Sequence, residues 1–143
     1  MNTLKFRPYQ PIDLAYCNSL VEANMKSYFE AQDIVWDKAR YEKELQNGFV
    51  RIAEIDGERV GFYHLGEKET HVHIHTIQID AAKRNLGIGS QVMHQIEKDV
   101  LKMGKDKIQL NVFEANPAKK LYLRLGYQVE EKSGSKFLMS KEI

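Results

Sequence analysis

The spacing of apolar and polar residues changes period several times along the chain, and each change marks an element. Leu4-Lys5-Phe6-Arg7 alternates with period two, which predicts a first strand closed by Pro8 and Pro11. From about Pro11 to Phe29 the period becomes helical, with Cys17, Leu20, Val21, Met25 and Tyr28 on one face. Asp37 is placed to cap a second helix, with Trp36 and Tyr41 as a hydrophobic staple, and Asn47-Gly48 reads as its left-handed end. Two strand-like runs, 49–55 and 59–65, flank Asp56-Gly57, a strong hairpin signal. After a turn at 66–70 an extended run reaches from about His71 to Asp80. A helix follows with Val92, Met93, Ile96, Val100 and Met103 on one stripe, stopped by Gly104. Residues 108–112 read as a strand, 117–125 as a short helix closed by Gly126, and 127–131 with 136–139 as a last pair of strands. The predicted order is β-α-α-β-β-β-α-β-α-β-β, an α/β chain in which a mixed sheet carries helices.

Length and composition narrow the picture. At 143 residues the chain is expected to form a single domain over 1–143 with a core of its own. A net charge of +1 gives no reason to expect a nucleic-acid or anionic-membrane partner. No run resembles a signal peptide or approaches the roughly 20 apolar residues of a membrane span. A single cysteine, Cys17, leaves no internal disulfide framework and reads as a small buried hydrophobe, so a reducing, cytoplasmic setting is expected.

The candidate chemistry centres on Arg84-Asn85-Leu86-Gly87-Ile88-Gly89-Ser90, between the strand at 71–80 and the helix that follows. A glycine-rich turn opening a helix presents unpaired N–H groups and the positive end of the helix dipole, which suits a pyrophosphate. Arg84 adds a guanidinium fork matched to phosphate oxygens. A nucleotide-triphosphate loop would need Lys-Ser/Thr after the last glycine, where Ser90-Gln91 stands. A dinucleotide fingerprint would need a third small residue where Val92 stands.

The Arg-x-x-Gly-x-Gly pattern of 84–89 resembles the acetyl-CoA loop of the GNAT family of N-acetyltransferases. Ala118-x-x-x-Tyr122-x-x-x-Gly126-Tyr127 resembles the last helix of that family, and the element order is similar over nearly the whole chain. The resemblance implies a GNAT-like acyltransferase fold and direct transfer of an acetyl group from acetyl-CoA to an amine, with no metal. It implies that amides at 84–90, with Arg84, Asn85, Leu86, Gly87, Ile88, Gly89 and Ser90, hold the pyrophosphate. The main chain of Ile77 and Ile79 would pair with the pantetheine arm, and amides around Ile79 would face the thioester carbonyl. Asn116, two residues before Ala118, is a further coenzyme contact, and Tyr122 would protonate the leaving thiolate.

His71, His73 and His75 share one face of their strand. They read as a polar strand face, as a source of a general base in His73 or His75, or as a metal site for a metal-dependent hydrolase. In-line side chains about 6–7 Å apart, with no acidic or thiol ligand in a matching motif, weigh against metal. Acceptor recognition is expected from 25–36, with Tyr28 and Trp36 as candidate contacts. Family members that acetylate protein N-termini often carry glutamate where Asn111 stands, which turns the reading away from that acceptor. A small-molecule or peptide amine is the expected partner, for a monomer or homodimer. The alternative function is a catalytically idle CoA-binding sensor or interaction module on the same fold.

Overall fold

The structure, a computed structural model, describes residues 3–84 and 86–143. Among them, seven strands and four helices follow one another as β1 (Leu4–Pro8), α1 (Leu14–Ala31), α2 (Lys38–Asn47), β2 (Phe49–Ile55), β3 (Glu58–Glu67), β4 (Val72–Ile79), α3 (Ile88–Lys102), β5 (Lys107–Phe113), α4 (Ala118–Arg124), β6 (Gln128–Ser133) and β7 (Lys136–Glu142). This is the predicted order. The strands form one mixed sheet in the order β1-β2-β3-β4-β5-β7-β6. β4 and β5 pair in parallel, while β1 with β2, β5 with β7 and β6 with β7 pair antiparallel. Among the described residues no helix is long and apolar enough to cross a membrane.

The described residues pack as two compact units, one from the segments 3–64, 76–84 and 86–88, the other from 65–75 and 89–143. In the first, Cys17, Leu20, Val21, Leu45, Val50, Ile52 and Phe62 form a buried cluster, with Met25, Phe29, Trp36 and Tyr41 packed against it. The helical stripe read from the sequence is the face that α1 buries. Burial pushes the Cys17 thiol up to about 12, so it stays protonated and packs as an apolar side chain. Asp37 caps α2 by accepting from Arg40 N–H at 3.1 Å. The Trp36 and Tyr41 rings meet edge-on at 5.3 Å, the geometry of the expected staple.

Two local expectations need correcting. The first helix does not begin at Pro11: a 3-10 turn fills Pro11–Asp13, and α1 starts at Leu14. The cause is Asp13, whose fully buried carboxylate accepts from Gln10 N–H (2.9 Å), from Arg7 (2.8 Å to each oxygen) and from Arg59 (3.2 Å). Gly48 is not left-handed. Its backbone is extended (φ −103°, ψ 178°), and the missing Cβ instead makes room for the His64 imidazole.

In the second unit, Val92, Met93, Ile96 and Val100 on α3 are buried, as are Ile108, Leu110 and Val112 on β5 and Met139 on β7. Gly104 ends the turn after α3 at φ +78°, the left-handed conformation expected of it. The antiparallel register sets Leu110 opposite Met139, and the β6–β7 register shifts by a bulge between Val129 and Glu131.

Candidate functional site

β4 runs on past its register with β5. Its register with β5 covers Val72–Ile74 against Ile108–Leu110, so residues 75–79 run on beyond the paired stretch. Gln78 O lies against Gly61 on β3, where a Cβ would come within 2.5 Å of it. Asp80 N–H donates to Val60 O at 2.9 Å. Gln78 and Asp80 therefore look toward β3. In an extended strand the N–H and C=O of one residue share a side and those of its neighbours take the other. Ile77 and Ile79 consequently present theirs on the opposite edge.

Beyond β4 the chain turns sharply. Asp80 accepts from Ala82 N–H at 3.0 Å and caps a 3-10 turn over Ala81–Lys83. Arg84 follows in extended conformation with its side chain exposed. Asn85, predicted as a coenzyme contact, lies outside the described residues. Leu86 is 63% exposed. Gly87 adopts φ +76°, and nothing lies within 4 Å of where its Cβ would stand. Glycine is thus required here by backbone conformation, and the space on that side is open to a ligand. Ile88, 2% exposed, opens α3. The first amides of that helix, including Gly89 and Ser90, have no carbonyl four residues earlier in the helix to pair with.

The second unit holds Tyr122, Asn116, His71, His73 and His75. Tyr122 sits on α4, 6% exposed, its ring 6.0 Å from that of Tyr127. Burial pushes its phenol up to about 12, which keeps the hydroxyl protonated at any physiological pH. Asn116 Oδ1 accepts from Ala118 N–H at 2.9 Å, at the start of α4. The His73 and His75 rings meet edge-on at 5.3 Å. Burial, with His75, Lys68 and His71 adding to it, lowers His73 to about 4. His73 is therefore neutral at pH 7 and a weak base. The His75 ring lies over Gly66 of β3, filling the place of a Cβ. Among the described residues, no three His, Cys, Asp or Glu side chains are grouped to hold a metal ion.

On the acceptor side, Trp36 is absorbed in the packing of α2, and Tyr28 is half-buried on α1. A cavity of about 330 Å³ opens among Asn18, Glu22, Lys38 and Glu42, and neither Tyr28 nor Trp36 lines it. Sequence reasoning missed Asn24. From α1 its amide nitrogen donates to Ile79 O (3.0 Å) and to Gln78 Oε1 (3.1 Å), and Gln78 in turn donates to Thr76 Oγ1 (3.0 Å). The helical period put Asn24 beside Met25 and Tyr28, but nothing local names a partner more than fifty residues away.

The fold matches solved structures over almost its full length. A PaiA N-acetyltransferase from Thermoplasma acidophilum, solved with coenzyme A, is 19% identical with a TM-score of 0.84, covering 99% of both chains. The ribosomal-protein-S18-alanine N-acetyltransferase of Escherichia coli is 14% identical with a TM-score of 0.81, covering 99% of this chain and 94% of its own. A GNAT acetyltransferase from Elizabethkingia anophelis with acetyl-CoA bound is 16% identical with a TM-score of 0.74, covering 98% of both. No curated protein matches the chain in sequence. The model of the acetyltransferase (GNAT) family matches residues 17–127, a span that runs from the core face of α1 through the glycine turn to Tyr127. The chain belongs to the GNAT acetyltransferase family.

Proposed function

We propose that the protein is an acetyl-CoA-dependent N-acetyltransferase acting on a small-molecule or peptide amine. The observation that carries this reading is the end of β4. There the Ile79 N–H faces away from β3, beyond the β4–β5 register, and a turn with an obligatory glycine leads into α3. Amides of that turn and of the start of α3, with Arg84, take the pyrophosphate, and the Ile77–Ile79 edge takes the pantetheine arm. The related structures that hold coenzyme A or acetyl-CoA support the choice of ligand.

Acetyl-CoA supplies an activated thioester carbonyl. The Ile79 N–H stabilises the negative charge that grows on its oxygen as the neutral amine adds to the carbon. The C–S bond then breaks, its electron pair going to sulfur, and the nitrogen gives up its proton to a base or to water. Tyr122 donates a hydrogen bond to the departing sulfur, and a proton from water completes the release of free CoA beside the amide. A phenol near 12 facing a thiol near 8.5 makes full transfer uphill by roughly 5 kcal/mol. Tyr122 therefore acts by a hydrogen bond that strengthens as charge reaches sulfur, with transfer completed by water. His73 stays neutral and is a weak base, and His75, the other candidate, is the more exposed of the pair.

The test is a panel of amines assayed for release of free CoA, with calorimetry of acetyl-CoA and CoA alongside. Turnover of an amine supports the reading. CoA binding without turnover on any amine gives the idle binder instead, and the absence of CoA binding removes the site.

A further inference from the structure

Asn24 occupies a place that matters if Ile79 faces a thioester, and this inference rests on the proposed function above. The Ile79 N–H and C=O share the open edge of β4, because Gln78 and Asp80 take the β3 side. An uncovered carbonyl on that edge would set its negative end beside the oxygen whose charge grows during the reaction. Asn24 Nδ2 covers that carbonyl at 3.0 Å, standing where a neighbouring strand would have supplied a donor. Its second proton goes to Gln78 Oε1 at 3.1 Å, and Gln78, 8% exposed, is itself fixed on Thr76 Oγ1. With two acceptors around one atom, that atom must be the amide nitrogen, and the carboxamide has one orientation.

We infer that Asn24 is a positioning residue of the acyl-transfer site, neutralising the Ile79 carbonyl so that the open edge of β4 offers its N–H to the thioester oxygen without an opposing dipole. It touches neither substrate in this role. Because Asn24 stands on α1, one turn before Tyr28, the helix expected to bind the acceptor also fixes the electrostatics at the thioester. A seated acceptor can thereby be felt at the donor N–H through one side chain.

Asn24→Asp tests this with almost no change of shape, replacing the donor by a charged acceptor. The expected result is a kcat about ten- to a hundredfold lower, somewhat less than direct loss of an oxyanion donor. KM for the amine should stay within about threefold, and so should the Kd for CoA, which lacks the carbonyl. The preference for acetyl-CoA over CoA in binding should shrink. The ratio of variant to wild-type kcat should climb back as pH falls through the carboxyl titration, because the introduced carboxyl, once protonated, donates again; taking the ratio cancels the titration of the amine. A purely structural role would move melting temperature and CoA affinity and would give no such recovery. Should Asn24→Asp fail to fold, Asn24→Ala removes the donor without adding charge and should lose about tenfold in kcat with CoA affinity kept.

A kcat within about threefold of wild type, or a loss matched in CoA affinity with no recovery at low pH, overturns the inference and leaves the enzyme reading standing. Wild-type protein that binds neither ligand overturns both. Where wild type binds but turns over no amine, the acetyl-CoA to CoA affinity ratio of Asn24→Asp decides, and an unchanged ratio sinks the inference.

Discussion

Tyr122 and Asp13 are both buried, and they answer to opposite demands. A phenol loses little by burial because its neutral form is the one kept, so Tyr122 can sit at 6% exposure as a permanent O–H donor. Tyr122→Phe keeps the ring and removes that hydrogen bond. We expect kcat to fall by roughly 10–10²-fold, the worth of a hydrogen bond to a developing thiolate, with the melting temperature and Kd for acetyl-CoA nearly unchanged, read by steady-state kinetics and calorimetry. A rate within about threefold of wild type, with chemistry limiting, would take Tyr122 out of the mechanism. Asp13 keeps its charge in the interior because two guanidiniums and a backbone N–H surround it, and Arg7 chiefly holds its carboxyl below the usual range. Asp13→Asn leaves Arg7 and Arg59 facing an amide. It should cost about 2–4 kcal/mol in chemical denaturation, below the full penalty for a broken buried pair because both arginines are partly exposed. Residues of these two kinds differ in legibility. Tyr122 stands in a local pattern with Ala118 and Gly126, whereas Asp13 with Arg59, Asn24 with Ile79, and Gly48 with His64 join positions far apart in sequence. Spacing along the chain carries no trace of such pairs.

At the scale of elements, Gly87 is the narrowest requirement of the proposed cradle. A branched residue at φ +76° is strained by about 1–2 kcal/mol and would fill the open space beside the turn. Gly87→Val should therefore lose most acetyl-CoA affinity by calorimetry while the unliganded protein still folds. Equal CoA binding by variant and wild type would refute the cradle. The turn could be read from sequence because its signals are local: a strand, two glycines, then helical periodicity. Helix and strand types were legible throughout for the same reason, and errors collected at the ends. β3 runs to Glu67 and β7 to Glu142, past their apolar alternation, because a paired strand continues wherever its partner still offers hydrogen bonds. The 3-10 turn at Pro11–Asp13 went unread because the ion pair that makes it begins on β1 and β3.

For the whole molecule, the order of elements and the two hairpin pairings, β2 with β3 and β6 with β7, were legible, and the partners of the other strands were not. β5 lies between β4 and β7, a parallel and an antiparallel neighbour drawn from opposite directions in the sequence. The response of the entire fold to acid follows from the groups this arrangement buries. Asp13 has a lowered pKa, so the stability it contributes is present above the unfolded carboxyl value near 4 and goes as pH falls through the lower, folded value. His73 is lowered too, but it is a base, and folding keeps it neutral. Above about 6.5 it is neutral in both states and costs nothing. Below that the unfolded chain takes up a proton that the folded one refuses until about 4, so stability falls across this window. Acid destabilisation from this group should accordingly begin near pH 6.5. Replacing the imidazole by a group that does not titrate, as in His73→Gln, should flatten the melting temperature between pH 7 and 5, whatever its effect at pH 8. Thermal unfolding of wild type and His73→Gln across that range measures the difference directly. Parallel curves for the two proteins would mean that His73 accepts its proton in the folded state as readily as in the unfolded one, and would return it to the list of candidate bases.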